Sequence, residues 1–239
     1  MKQLFKLLLL GLLTLSGLST YAFHLPQGQL NLSLGGADVH QGQEQLVNIS
    51  NTFGNIYTIS QQKDTVFLAG AGYFFDVFSR QPMDVSLGAS IYYLSSATVN
   101  GLIYLERTFP NLGYQYKTTN IPLYAHAKGV WKGQDERVAL VVDAGIGPNF
   151  IKTHDYQEHS IDGGVTIPNQ TFSGDTQVEF SAMAGIGLRL NQVWNNTALE
   201  VGYKYFYLNE GELNPRPQVL NHLNTGNANA HALVFTIIA

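Results

Sequence analysis

Met83-Asp84-Val85-Ser86-Leu87-Gly88-Ala89-Ser90-Ile91-Tyr92-Tyr93 alternates between two kinds of side chain with a period of two. Met83, Val85, Leu87, Ala89, Ile91 and Tyr93 share one face, and Asp84, Ser86, Gly88, Ser90 and Tyr92 share the other. Successive side chains of a strand point to opposite sides, so this stretch is a strand with one apolar and one polar face. The pattern recurs at Leu30 to Leu34, Phe67 to Val77, Val138 to Ile146, Val178 to Leu190 and Leu199 to Tyr207. Two further segments are less regular: Ile121 to Lys128, preceded from Tyr114 by a stretch whose phase suggests a bulge near Thr118, and the terminal Ala230 to Ala239. The expected total is eight strands.

The connections alternate in length. Residues 38–64, 95–110, 151–176 and 209–226 are long and rich in Asn, Gln, Thr, Gly and Pro, whereas 80–82, 132–136 and 191–196 are short. Short turns on one side and long loops on the other are the habit of a transmembrane barrel, with turns in the periplasm and loops outside. The expected fold is all-β: an eight-stranded antiparallel up-and-down transmembrane barrel with four long external loops.

Composition agrees. Of 239 residues 45% are apolar, and only 13 Lys+Arg and 17 Asp+Glu are charged, about half the share usual in soluble domains. Residues 1–22 read as a signal peptide: Lys2 and Lys6, an apolar run from Leu7 to Leu18, then Thr20-Tyr21-Ala22 as the cleavage site near Ala22. Residues 23–239 are then one outer-membrane β-barrel domain. Losing two lysines leaves 11 basic against 17 acidic groups, so no nucleic-acid partner is expected. With no cysteine, disulfides and thiolate metal sites are excluded. No apolar run of 18 residues follows the signal, which excludes a mature helical span.

In a membrane barrel the apolar face meets lipid and the polar face lines the lumen. The polar set contains Asp76, Asp84, His126, Lys128, Asp143, Glu179, Arg189, Glu200 and Lys204, both signs together, as a structural network would require. Glycines fill the same face, leaving room for those side chains in a narrow lumen. Aromatic residues at strand ends suggest two interfacial girdles: Phe67, Tyr93, Tyr114, Tyr116, Phe150, Phe180, Tyr205 and Tyr207 outside, Phe75, Trp131 and Trp194 toward the periplasm. A soluble lipocalin-like barrel would need charged residues on a face that here is nearly half glycine.

With those residues in view, the chain resembles the small outer-membrane barrels of Gram-negative bacteria, the OmpA transmembrane domain and OmpX-like group. Gly202-Tyr203-Lys204-Tyr205-Phe206-Tyr207 looks like the Gly-Tyr-x-Tyr strand of that family, and the resemblance covers residues 28–239. It implies localisation in the bacterial outer membrane, outer-membrane lipids and lipopolysaccharide as surroundings, and the outer-membrane assembly machinery as a partner. It also implies a host or envelope partner for the external loops. The chain departs from the family's aromatic last residue, ending Ile237-Ile238-Ala239, and no peptidoglycan-binding domain follows the barrel.

Motifs for chemistry are sparse. His154-Asp155-x-x-Glu158-His159 is the densest group of metal-ligand types, and reads as a solvated loop rather than a metal site. Some barrels that this one resembles modify lipid A with a His, a Ser and an acid. Here Lys128 stands where the serine would follow His126, so no catalytic residue is assigned. No Gly-x-Ser-x-Gly, Walker loop or dinucleotide fingerprint occurs, and no cofactor is expected. The expectation is a non-enzymatic, adhesin-like barrel with a structural and surface-interaction role. A narrow ion-conducting pore is the alternative, and a lipid A-modifying enzyme is a third reading.

Overall fold

The computed structural model describes residues 28–48, 54–106, 108–133, 137–194, 197–217 and 219–239, with only the backbone of Trp194. The signal segment 1–22 and the Trp194 side chain lie outside what is described. In chain order the strands are β1 (Gln29–His40), β2 (Gln45–Asn48), β3 (Gly54–Gln61), β4 (Lys63–Arg80), β5 (Met83–Leu105), β6 (Phe109–Lys132) and β7 (Val138–Ser160). They are followed by β8 (Phe172–Ser173), β9 (Thr176–Trp194), β10 (Thr197–Asn209), β11 (Glu212–Pro215), β12 (Leu223–Asn224) and β13 (Ala228–Ile238).

Eight of these close a ring, each antiparallel to the next: β1, β4, β5, β6, β7, β9, β10 and β13, with β13 returning to β1. Closure leaves the membrane storey without a free sheet edge, which a hydrocarbon environment requires because it offers no partner for backbone N–H and C=O groups. The exterior is inverted relative to a soluble protein. Leu32, Leu34, Phe67, Ile91, Leu140, Ile146, Phe180, Ile186, Leu188 and Phe235 are exposed, while His126, Lys128, Asp143, Arg189, Glu200 and Lys204 are buried.

The four external connections fall where expected, but much of their length is strand. β5, β6 and β7 run on past the aromatic level, and β6 and β7 remain paired up to Leu112 and Ser160. β3 runs almost directly into β4 and pairs with β5 above the stretch that β4 pairs with, β2 pairs with β3, and β8 joins β11 and β12 in a small sheet. Asp175 and Thr153 exchange backbone hydrogen bonds of 3.2 and 2.9 Å, tying the segment after β8 to β7. On the other side Gln45 exchanges two side-chain bonds with the backbone of Asn224, and Leu220 N donates to the Asn48 carbonyl. A second storey thus sits on the barrel around its own core of Val47, Tyr57, Val99, Ile103, Tyr114, Tyr116, Tyr156, Phe172, Leu213 and Leu223.

Two expectations are corrected here. Tyr114 and Tyr116 are not girdle residues: each is 1% exposed in the upper core. Nor does β6 slip at Thr118, since its even-numbered residues face inward from Leu112 to Val130. The bulges lie in both neighbours at that same level. β5 carries an extra residue between Leu94 and Ala97, and β7 carries one opposite Gln115–Lys117, with Asp155 at φ +54°. Of the other aromatic residues expected at strand ends, Phe67, Phe75, Tyr93, Trp131, Phe150 and Phe180 are exposed on the outer face, and Tyr205 and Tyr207 are half-exposed.

Candidate functional site

The inner face of β6 orders the lumen. From the short-turn end upward it presents Lys132, Val130, Lys128, His126, Tyr124, Asn120, Thr118, Tyr116 and Tyr114, alternating with outward residues because the strand period is two. At the rim Lys132 Nζ lies 2.6 Å from Asp84 Oδ2, Ser79 donates to Asp84, and Ser86 donates to the exposed Asp76 at 2.6 Å.

One layer up, Glu200 is shared. Arg189 reaches its Oε1 through Nε at 2.7 Å and Nη2 at 2.6 Å, and Lys128 reaches Oε2 at 2.9 Å. Arg189 and Glu200 face each other across β9 and β10, whereas Lys128 comes from across the lumen. Lys204 pairs with Asp143, whose Oδ2 also lies 3.7 Å from His126 Nε2. Gly185 makes room for that pair: a Cβ there would fall 2.2 Å from Asp143 Oδ1. Phe74 packs against both His126 and Lys128, at 4.9 and 5.0 Å. Glu179 is half-buried on the inner face and joins no ion pair among the described residues.

Ser90, which the sequence reading had not singled out, contacts His126 Nδ1 at 2.8 Å. Ser90, His126 and Asp143 thus stand in a row like the Ser–His–acid groups that activate a nucleophile in acyl transfer, but Asp143 lies beyond hydrogen-bond distance and His126 Nε2 has no hydrogen-bond partner among the described residues. Their surroundings oppose that use as well. Asp143 is engaged by Lys204, all three side chains are buried, and the space beside them is about 10 Å³, room for roughly one water. Above lies a plug of Leu68, Tyr92, Leu94, Tyr124, Phe206 and Leu208. The Tyr92 ring occupies the gap left by Gly70, where a Cβ would meet Tyr92 Cδ1 at 2.4 Å. Tyr124 donates to Ser181, which donates to the Tyr207 carbonyl, at 2.6 and 2.7 Å. No ester could reach Ser90 past this layer.

The His154 to His159 group is corrected from loop to strand, and its members separate. Glu158 is buried in the second storey, where it accepts from Tyr156 at 2.6 Å and from the backbone N–H of Asn169, Gln170 and Thr171. His154 and Asp155 sit at the β7 bulge on the outer wall. His154 Nε2 lies 3.2 Å from Ser96 Oγ and 3.1 Å from Thr119 Oγ1, and its Nδ1 lies 3.3 Å from Asp155 Oδ2. Lys117 donates to the same Asp155 oxygen at 3.2 Å and, with His154, holds its carboxyl below the ordinary range. No group of three or more His, Cys, Asp or Glu among the described residues has a metal-holding arrangement. Sequence reading missed Ser96 and Thr119, although the broken alternation at Leu94-Ser95-Ser96-Ala97 was the available sign.

No protein-family model and no curated protein matches the chain in sequence. Solved structures match in fold. The outer membrane protein OprG from Pseudomonas aeruginosa aligns at 12% identity and TM-score 0.50, covering 89% of this chain and 96% of that one. The outer membrane protease OmpT from Escherichia coli aligns at 9% identity and TM-score 0.48, covering 92% and 98%. Neisserial surface protein A aligns at 13% identity and TM-score 0.42, covering 89% and 99%. The closed ring, the inverted exterior and the likeness to OprG give one result: this chain has the fold of a small outer-membrane β-barrel.

Proposed function

We propose that residues 1–22 export the chain and that the mature barrel sits sealed in the outer membrane, where its second storey contacts macromolecules outside the cell. The lumen residues act as a structural network in this reading, and the surrounding lipid and lipopolysaccharide hold the exposed apolar belt. The observation that carries the proposal is the second storey itself. A barrel that only spanned a bilayer would need strands of about 9–11 residues, whereas β6 has 24 and β7 has 23, and the excess is built around a tyrosine-rich core. A rigid platform of this kind lowers the entropic cost of presenting contact residues. Its tip carries Phe109, Val165 and Ile167 at 72, 84 and 79% exposure, beside a turn pinned by Asp162. The plug across the lumen disfavours the pore reading.

The test compares cells displaying the protein with cells displaying a Phe109→Ser/Val165→Ser/Ile167→Ser variant for adhesion to epithelial cells and immobilised matrix proteins. The expected result is adhesion by the first and loss by the second at equal surface amounts. In parallel, purified protein in planar bilayers should give no discrete conductance steps. Steady single-channel steps would put the pore in first place.

A further inference from the structure

Neighbouring strands of the second storey each carry an amide side chain at one and the same level. Gln61 on β3 pairs with Asn100 on β5, Asn100 with Gln115 on β6, and Gln115 with Gln157 on β7. Val99, Tyr114, Tyr116 and Tyr156 point into the upper core, so the alternating residues Asn100, Gln115 and Gln157 lie on the outer wall. At a strand spacing of about 4.8 Å the row is about 14 Å long. Within it Asn100 Nδ2 donates to Gln61 Oε1 at 3.1 Å, and Gln115 Nε2 donates to Gln157 Oε1 at 3.3 Å. An amide offers donor hydrogens and acceptor lone pairs together. Those bonds leave the carbonyl oxygens of Asn100 and Gln115 and the amino group of Gln157 without a protein partner among the described residues.

One step above the row, Leu102 pairs with Gly113 and Gly113 with His159. The imidazole fills the space that a side chain at Gly113 would take: a Cβ there would fall 2.4 Å from His159 Nε2 and 2.5 Å from its Cε1. The ring therefore lies over bare backbone, and His159 is exposed beside the amides. Such a surface matches a sugar chain. Hydroxyls exchange hydrogen bonds with amides in either direction, and the C–H side of a pyranose packs on a planar ring.

Charge narrows the class. The row has no charged member, Lys117 below it is held by Asp155 at 3.2 Å, and Lys63 beside Gln61 is held by Asp38 at 2.8 Å. With these cations already engaged, the wall offers little to sulfated or phosphorylated chains, which call for free Lys and Arg. Height narrows the source. Gln115 lies six residues beyond Ile121, the partner of the outward-facing Phe150, about 20 Å along the strand. On the proposed placement in the membrane the row stands clear of the acyl chains.

We propose that this wall of β3, β5, β6 and β7 binds a neutral glycan presented from outside the cell. One sugar ring packs on His159, and the hydroxyls of its neighbours bond to Asn100, Gln115 and Gln157. The inference rests on the reading that the second storey makes external contacts, and gives that contact a chemistry and a place on the side wall, away from the tip. A sheet continuous with the barrel holds these groups in position, which limits the ordering cost of binding.

The test applies the full-length barrel, in fluorescent nanodiscs, to an array of short neutral and sulfated oligosaccharides. The neutral chain retained best is then titrated with NMR detection of the His159 ring, and heat-modifiable mobility on gels checks that each variant is folded. The expected result is binding with a shift of the His159 signals, retained in Phe109→Ser/Val165→Ser/Ile167→Ser. Affinity should fall about 10-fold in Gln115→Ala/Gln157→Ala and in His159→Ala. No retention of neutral chains above empty nanodiscs, retention of sulfated chains alone, or undiminished binding by both wall variants would overturn the proposal. Preferential displacement by core oligosaccharide released from lipopolysaccharide would overturn the assigned source. Adhesion lost only in the tip variant, with no glycan bound, would sink this inference and spare the reading on which it rests.

Discussion

Replacing Glu200 with Gln keeps the shape of the side chain and removes one charge from the centre of the lumen network. The carboxylate is 9% exposed and holds two cations, Arg189 through Oε1 and Lys128 through Oε2. At 2.9 Å and an effective dielectric near 20, each attraction is on the order of 6 kcal/mol before desolvation is subtracted. Experience with buried pairs puts the net cost of deleting one partner at about 3–5 kcal/mol, because the other charge is stranded. Here the loss strands Lys128 and takes from Arg189 its bonded acid, leaving it only the more distant Asp84, while Lys204 keeps Asp143. Arg189→Met is a smaller injury, about 1.5–3 kcal/mol, since Glu200 keeps Lys128.

Urea unfolding in lipid vesicles, followed by tryptophan fluorescence, measures each variant. The cycle of Glu200→Gln with Arg189→Met should show a coupling of about 1–3 kcal/mol. The cycle of Glu200→Gln with Lys204→Met should be additive within about 0.5 kcal/mol, because those two residues lie four apart on β10, roughly 13 Å along the strand, and Lys204 is held by Asp143. Additivity in the first cycle would refute the assignment of Glu200 as the shared acceptor. Strong coupling in the second would mean that the network does not divide as described.

Leu87→Arg or Ile146→Arg on the lipid face should cost about 2–4 kcal/mol at the membrane midplane in the same unfolding assay. Glu158→Gln should release the segment from Asn169 to Thr171, and faster hydrogen exchange there with an unchanged membrane storey is the outcome to look for. Hydrogen bonds from Ser160 and Thr166 hold the Asp162 carboxyl well below its ordinary range. A depressed folded-state value stabilises above the unfolded value and is lost as pH falls through the folded one. Proteolysis of the 160–167 turn should therefore stay slow at mildly acidic pH and accelerate only in strong acid, and Asp162→Asn should remove that dependence.

The membrane storey was legible because a period of two with one apolar face has a single reading once glycine occupies the other face. The Arg189 and Glu200 pairing followed from a short turn that sets two strands in register. What the sequence hid was the level at which lipid gives way to a second protein core. Tyr116 in a girdle and Tyr116 in a core have the same alternation, since aromatic side chains suit both, and only the long-range partners Tyr57, Tyr156 and Phe172 distinguish them. The bulges escaped for a related reason: an interrupted phase reports that a slip exists nearby, but not which of three neighbouring strands carries it.

That ambiguity can be put to experiment at Tyr116. Its ring is buried and its hydroxyl has no hydrogen-bond partner among the described residues. Tyr116→Phe removes a polar group that gains nothing from its surroundings, so stability should be unchanged or rise by about 1 kcal/mol. Tyr116→Ala leaves a void in the upper core and should cost about 3–5 kcal/mol, with loss confined to the second storey in hydrogen exchange. A girdle tyrosine would behave in the opposite way, because its hydroxyl reaches the headgroup region. Destabilisation by Tyr116→Phe, together with a mild effect of Tyr116→Ala on the second storey, would return this residue to the membrane interface and lower the boundary between the two storeys.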